Sequence, residues 1–302
     1  MVGHHAAVVS HVHRRNASFR VRLATAPGYS YLVGSAVFHY LGPAFAVLLF
    51  ARVAPLGVAW LRIAIAAVVY AAWRRPWHDW RFLDRPGRLT IIAMGVTLGV
   101  MNACFYLAIA RLPLATVAAI EFLPVIALAA LGTRTIRNGV ALAIAVVGVY
   151  LLTGVQLHGE PFGLLLAFCN AGLFALYIVL AHRVARLDHL GGIDGLAAAM
   201  LVAAVVVTPV GGWSAVPAFA DPVALAAGVG VAVSSSVIPY VCDQLAMARM
   251  ARSTYALFVS LRPATATVVG VVVLAQLPTP IEVVAIALVI GGVALHQERL
   301  SA

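Results

Sequence analysis

From Leu32 to His296 the chain alternates between long apolar runs and short polar breaks. Runs of about 20 apolar residues match the roughly 30 Å hydrocarbon core of a bilayer at 1.5 Å per helical residue, so each is predicted to be a membrane-spanning helix. Ten spans are predicted: Leu32–Ala51, Pro55–Trp73, Leu89–Leu112, Pro113–Gly132, Asn138–Thr153, Phe162–His182, Gly195–Gly211, Val223–Arg249, Thr254–Gln276 and Pro280–His296. Pro55, Pro113 and Pro280 stand at helix starts, where a missing N–H leaves no hydrogen bond unmade. No break is long enough for a soluble domain, and the one polar loop of any size is Arg74–Arg88.

Composition supports this class. The 302 residues are 63% hydrophobic and only 10% charged, against about 25% charged in a soluble domain. The net charge of +10 does not form a nucleic-acid patch. There is no Lys, and the Arg residues are distributed among the breaks, as residues that orient helices beside anionic lipid head groups are. Cys104, Cys169 and Cys242 lie singly inside apolar runs without metal-like spacing, and are expected to be small packing residues. Residues 1–30 read as a polar N-terminal tail rather than a cleaved signal, because no apolar stretch precedes a small-residue cleavage site. Its His4, His5, His11 and His13 are weak evidence for metal, and neither a metal nor a cofactor is expected.

Alternate breaks are rich in Arg. Arg74, Arg75, Arg81, Arg85 and Arg88 share one side with Arg134, Arg137, Arg183, Arg186, Arg249 and Arg252, with the N-terminal tail and with Arg299. The opposite breaks carry only Arg52 and Arg111, and those at Gln156–Pro161, Gly212–Pro222 and Leu277–Pro280 carry none. The positive-inside rule then puts both termini in the cytoplasm. Five spans per half would make residues 31–154 and 162–297 two five-helix repeats of opposite orientation, a recurring design of secondary transporters.

Two stretches echo one another across these halves. Val100–Pro124 (VMNACFYLAIARLPLATVAAIEFLP) aligns with Tyr240–Pro263 (YVCDQLAMARMARSTYALFVSLRP) through Ala108–Arg111 and Ala246–Arg249. Asn102, Glu121, Tyr240 and Arg262 then fall about 12–13 Å along their helices from the nearest corner, near one depth in the membrane. A charged side chain at that depth usually has a partner or a function. Glu121 and Arg262 could neutralise each other as a structural pair, or a zwitterion could sit between them with its carboxylate toward Arg262 and its ammonium toward Glu121. Ser236, Tyr240 and Asp243 are spaced to share one α-helical face, as are Asn102 and Tyr106. Arg62, about 10 Å into the second span, is a site cation or a structural tie. Asn170 and Tyr177 share a face without an assigned role, His39 reads as a packing residue, and Tyr70, Trp73, Trp77 and Trp80 as interfacial anchors.

The strings GVMNACFYLAIARLPLATVAAIEF and SSSVIPYVCDQLAMARMARSTYALFVSLRPATATVVG resemble the two halves of the EamA family of the drug/metabolite transporter superfamily. Within that family the similarity is greatest to bacterial threonine and homoserine exporters. It runs over most of the chain from about Leu41. Asn102, Phe105, Tyr106, Pro113, Glu121 and Phe122, then Pro239, Tyr240, Leu261 and Pro263, stand where the motifs fall. Asp243 takes an acidic position of the pattern, and Arg62 lies in a Leu-Arg-Ile-Ala string like the family's second helix. The resemblance implies ten helices in two inverted repeats, an inner-membrane location and a small-molecule substrate. The chain departs from the exporters at Leu261-Arg262-Pro263, where they carry Leu-Glu-Pro, and at Ala275-Gln276, where they carry Gly-Glu.

The functional expectation is therefore an exporter of small amino acids or related metabolites, with broad drug or cationic-metabolite efflux as the alternative. Proton antiport through Glu121 is one coupling scheme the sequence allows; it says nothing of oligomeric state. An intramembrane enzyme is disfavoured, since there is no Lys, Asp243 has no second Asp within a span, and only His39 lies well inside one. The Arg count sets the first test. Reporter fusions should place both termini and the Arg74–Arg88 loop in the cytoplasm, and a terminus found outside would undo the inverted-repeat assignment.

Overall fold

The protein was analysed as a computed structural model, in which residues 28–81, 83–132, 135–156, 160–184, 187, 192–247 and 262–295 are described. Among them every regular element is helical. In chain order they are α1 (Gly28–Leu49), α2 (Pro55–Arg74), α3 (Arg85–Ile109), α4 (Leu114–Gly132), α5 (Ile136–Gln156) and α6 (Pro161–Val184). Two composite helices follow. In α7, Gly192–Val207 passes through a π-helical turn, Thr208–Gly212, into Trp213–Ala220; in α8, Pro222–Ala232 passes through a second, Val233–Val237, into Ile238–Met247. α9 (Arg262–Leu274) and α10 (Pro280–Leu295) complete the described chain. Five segments are long and apolar enough to cross a bilayer: Pro55–Arg74, Arg85–Ile109, Pro161–Val184, Ile193–Ala220 and Pro222–Cys242. Large apolar side chains such as Val68, Leu165, Val205, Trp213 and Val272 are exposed on the outside of the bundle, as they would be against lipid.

Several boundaries differ from expectation for identifiable reasons. The segment Gly212–Pro222, expected as a loop, is mostly helix. Pro209 has no N–H to give the preceding turn, and the π turn widens the helix there instead of ending it. Thr208 Oγ1 donates to the Ala204 carbonyl at 2.6 Å and accepts from Trp60 Nε1 at 2.8 Å. The connection shrinks to Asp221, whose carboxylate accepts from the N–H groups of Val223 and Ala224 and caps α8. α3 likewise starts at Arg85 rather than Leu89, because Asp84 caps it through Gly87 N–H at 2.9 Å and Pro86 suits its first turn. The basic loop therefore contracts around one helical turn, Trp77–Trp80. α9 stops at Leu274, two residues short of its expected end, with Ala275 at φ 53°. The expected start of that span at Thr254, and Arg134, Arg186, Arg249, Arg252 and Arg299, lie outside the described residues.

Tyr70 is fully buried and so is not an interfacial anchor; Trp73 and Trp77 remain about half exposed. Cys169 is exposed on the outside of its helix instead of packed within the bundle, while Cys104 and Cys242 are half-buried.

Helices pack at distances set by small residues, as expected where lipid removes the hydrophobic drive for helix association. A Cβ on Gly57 of α2 would strike the Ser214 carbonyl of α7, and one on Gly211 of α7 would lie 2.5 Å from the Leu56 carbonyl of α2. α5 and α10 make a reciprocal contact: a Cβ on Gly148 would lie 2.6 Å from the Ala285 carbonyl, and one on Gly292 2.7 Å from that of Ala141. The principal pairings are α5 with α10, α3 with α6 and α7, α8 with α1 and α2, α2 with α7, α6 with α4, and α9 with α1 and α4.

Ion pairs hold α2 and α7 at both ends. Arg74 donates from Nε and Nη2 to the two oxygens of Asp194, at 2.6 and 2.7 Å, a bidentate fork at the last turn of α2. At the other end Arg52 Nη1 meets Asp221 Oδ2 at 2.7 Å. That hydrogen bond, with those of the helix cap, holds the Asp221 carboxyl below the usual carboxylate range. A lowered titration point means that its contribution is complete at neutral pH and is lost only as acid carries the pH down through that point. Because Arg74 and Asp194 are the less exposed pair, Asp194→Asn should destabilise the detergent-solubilised protein by about 1–3 kcal/mol. Asp221→Asn should lower the thermal midpoint less, and equal midpoints for the two variants would contradict this ranking.

Candidate functional site

The interior polar cluster begins with α2. Arg62 lies two turns into that helix, 8% exposed, and points toward α3 and α8. Its Nη1 donates to Asn102 Oδ1 at 2.6 Å, its Nε to Ser236 Oγ at 2.9 Å and its Nη2 to the Ser235 carbonyl at 3.3 Å. Its Cζ stands 5.6 Å from the centre of the Tyr106 ring, in cation–π range. The Asn102 amide is oriented by its own helix, since Nδ2 donates to the Leu98 carbonyl at 2.8 Å and leaves Oδ1 for the guanidinium. The expected shared face of Asn102 and Tyr106 is thus used by a single cation from a neighbouring helix.

α8 meets this cation through its π turn. Pro239 supplies no N–H, leaving the turn before it one donor short. The Ile238 N–H reaches back to the Val233 carbonyl, the wider π register. Two side chains of α2 serve the carbonyls left facing inward: Arg62 on Ser235 and the Tyr70 hydroxyl on Ser236, the latter at 3.2 Å. Such replacement of backbone donors by neighbouring side chains is what makes a proline tolerable in a membrane interior. Of the residues expected to share a face, Ser236 stands in the π turn, and Tyr240 and Asp243 follow in the α-helical part of α8. Ser236 is buried within the turn, Tyr240 is half-buried beyond it, and the Asp243 side chain lies outside the described residues. Gly42 of α1 lets that helix lie against Ser235, where a Cβ would collide with the serine.

A second cluster of opposite sign surrounds Glu121 on α4. Glu121 is 7% exposed, and its Oε1 accepts from Asn170 Nδ2 of α6 at 3.4 Å. Arg262, 8% exposed at the start of the described part of α9, and Arg62 are both within electrostatic reach of it. Tyr40 of α1, fully buried, lies in the field of both Glu121 and Arg262. His39, beside it with its ring edge-on to Tyr40 at 5.2 Å, lies in that of both arginines. Among the described residues the buried Tyr40 hydroxyl and Asn170 Oδ1 find no hydrogen-bond partner.

The interior thus brings Arg62, Asn102, Tyr106 and Ser236 into direct contact, and joins Glu121 and Arg262 to them electrostatically. Sequence reasoning had left Asn170 without a role and had not singled out Tyr40. A buried amide on the sixth span was the available signal for Asn170, and only packing could show that it reaches the Glu121 carboxylate. Among the described residues no group of His, Cys, Asp and Glu could hold a metal ion.

A profile of the EamA-like transporter family matches residues 161–296. The threonine/homoserine exporter RhtA of Escherichia coli (strain K12) is 32% identical to this chain over 254 residues, which are 83% of the chain and 84% of that protein. The protein of the same name from Salmonella typhimurium (strain LT2) is 31% identical with the same coverage. One solved crystal structure superposes with a TM-score of 0.56 at 20% identity, covering 89% of this chain and 96% of its own, a likeness of fold alone.

A double-mutant cycle tests the coupling of the two charged residues. Removing one member of a buried pair strands the other charge, at about 3–5 kcal/mol, whereas removing both is often tolerated. Glu121→Gln and Arg262→Gln should each reduce folded yield, and the double variant should recover it. Recovered flux as well would make the pair structural; recovered yield without flux would make it part of the substrate site. Single variants that fold and work like the parent would dissociate the two residues.

Proposed function

This chain belongs to the EamA-like transporter family, and from that premise we propose that it exports small amino acids of the threonine and homoserine type across a bacterial inner membrane. The observation that carries the substrate class is its 32% identity, over 83% of its length, to a protein named for the export of those two amino acids. The polar interior suits such cargo. A zwitterion needs a cation and an anion at separate points of one apolar interior, and the buried Glu121 is within electrostatic reach of the buried Arg62 and Arg262. The residues assigned to the substrate site in this reading are Arg62, Asn102, Tyr106, Glu121, Ser236, Tyr240, Asp243 and Arg262, of which Ser236 lines the site through its bond to Arg62. Broad efflux of cations fits less well, because two buried guanidinium groups would repel them.

The same reading takes the helices as ten spans in two inverted five-helix repeats, with both termini in the cytoplasm. Its support is the pattern of neighbours. Advancing each helix by five positions turns α3–α6 into α8–α1, α3–α7 into α8–α2 and α4–α6 into α9–α1, all of which are in contact. The α5–α10, α2–α7 and α4–α9 pairs map onto themselves. The reciprocal glycine contacts of α5 and α10 fit an antiparallel pair related by a two-fold axis. Export against a gradient requires coupling, and Glu121, a carboxylate deep in the bundle, is the proposed proton carrier.

Cells that overproduce the protein should resist added homoserine and threonine and accumulate more of them outside than vector controls. Expulsion of a cationic dye with no change in either amino acid would replace this reading with drug efflux.

A further inference from the structure

The hydrogen bonds of Arg62 point to more than a place in the cluster. Its guanidinium is more than nine-tenths buried, yet all its acceptors are neutral: an amide oxygen, a hydroxyl and a backbone carbonyl. Among the described residues no carboxylate comes within ion-pair distance of it. Glu121 lies in the field of this cation but not at ion-pair distance, and the cost of removing a cation from water is offset best by an anion in direct contact. Five N–H groups project from a guanidinium, and these three bonds leave two of them for another acceptor.

The geometry of those bonds dictates how an anion would enter. A carboxylate is taken most strongly by two parallel N–H groups on one edge of the fork. The Nε–Nη2 edge is occupied by Ser236 Oγ and the Ser235 carbonyl of α8, and the Nη1 side by Asn102 of α3. A carboxylate bound side-on to the Nε–Nη2 edge therefore has to displace the two contacts there. The Nε–Nη2 edge is the better candidate, because its bond to the Ser235 carbonyl, at 3.3 Å, is the longest of the three.

We propose that Arg62 is the residue that recognises the carboxylate of the transported amino acid, and that the carboxylate takes the place of Ser235 and Ser236 on the guanidinium. The inference rests on the exporter reading and assigns the substrate's anionic end to α2. It also gives binding a mechanical consequence. In this structure Arg62 fastens the π turn of α8 to α2; with its Nε–Nη2 edge occupied by substrate, α8 keeps the Tyr70 hydroxyl on the Ser236 carbonyl as its described hydrogen bond to α2.

The test uses the full chain in liposomes, with threonine and the amino alcohol that has its amine and hydroxyls but no carboxylate. In the parent protein unlabelled threonine should compete for labelled-threonine counterflow and the amino alcohol should not. Arg62→Gln should lose about tenfold or more in threonine affinity, the size expected for charge-assisted hydrogen bonds, and with it the preference over the amino alcohol. Ser236→Ala, which removes a competitor and leaves the cation, should tighten threonine binding by about threefold. Thermal unfolding and gel filtration report whether each variant is folded; should Arg62→Gln not fold, Arg62→Lys takes its place, with a weakened preference expected because an ammonium lacks the fork. If the parent carries threonine but accepts the amino alcohol equally, or if the Arg62 variant keeps its preference, this assignment is wrong while the exporter reading stands. Unchanged or weaker binding in Ser236→Ala overturns the exchange of partners. A parent protein that moves neither threonine nor homoserine removes both the reading and the assignment.

Discussion

A guanidinium in the interior of an apolar bundle has to be satisfied from several directions, and in this protein that requirement ties three helices together. Arg62 of α2 takes its acceptors from α3 and from α8. Neither partner is arranged for it by accident of side-chain rotamer. Asn102 is oriented by the Leu98 carbonyl of its own helix, and Ser235 and Ser236 are presented by a π turn beside Pro239, which cannot supply the N–H that a regular helix would use. The proline deprives the Ser235 carbonyl of its regular helical donor, and the arginine supplies one. Each feature would be unfavourable alone, and each removes the other's penalty.

The same helix is also the most firmly held. Arg74 and Asp194 join α2 to α7 at one end, Arg52 and Asp221 tie their connections at the other, and Gly57 and Gly211 allow backbone-level contact between. A bidentate ion pair and close glycine packing make the α2–α7 unit a fixed reference for its neighbours. The elements on either side, α3 and α8, are joined to it in the middle by the hydrogen bonds of Arg62 and, for α8, also of Tyr70. Bonds of that kind can change partners without loss of satisfaction, whereas interdigitated backbones cannot slide. The arrangement separates a part that holds from a part that can exchange.

Much of this was legible in the amino-acid pattern. The apolar runs gave the helices, the prolines at 55 and 280 gave starts, and the depth of Asn102, Glu121 and Arg262 marked the polar interior. Charged residues in apolar runs are few enough that each one is conspicuous. What escaped has a common physical cause. A π turn depends on whether a widened register can be satisfied by a neighbouring helix, so a proline inside an apolar run reads equally well as a break, a kink or a bulge. Gly212–Pro222 was read as the first of these and is the third kind followed by helix. Tyr70 looked like an interfacial anchor because it is near Trp73 in sequence, but its contact is a carbonyl 166 residues away. Asn170 and Glu121 are separated by 49 residues and have no periodic relation to reveal them.

The two charged clusters differ in how complete they are. Glu121 takes a hydrogen bond from the neutral Asn170 and lies in the field of two arginines, so a positive environment already surrounds the one carboxylate of the cluster. Arg62 has neutral hydrogen-bonding partners and, among the described residues, no carboxylate within ion-pair distance. Among the described residues these two clusters hold one carboxylate, Glu121, and two guanidinium groups, Arg62 and Arg262, an excess of one positive charge when Glu121 is ionised. A net-neutral zwitterion does not remove that excess, but it allows the carboxylate end to sit where the excess is greatest while its ammonium stays near Glu121. A simple cation gains only from Glu121 and is opposed by both arginines. Electrostatic discrimination of this kind acts through the unfavourable term as much as the favourable one, and in the proposed exporter the sign of these clusters, rather than the shape of any one pocket, would separate an amino acid from an amine.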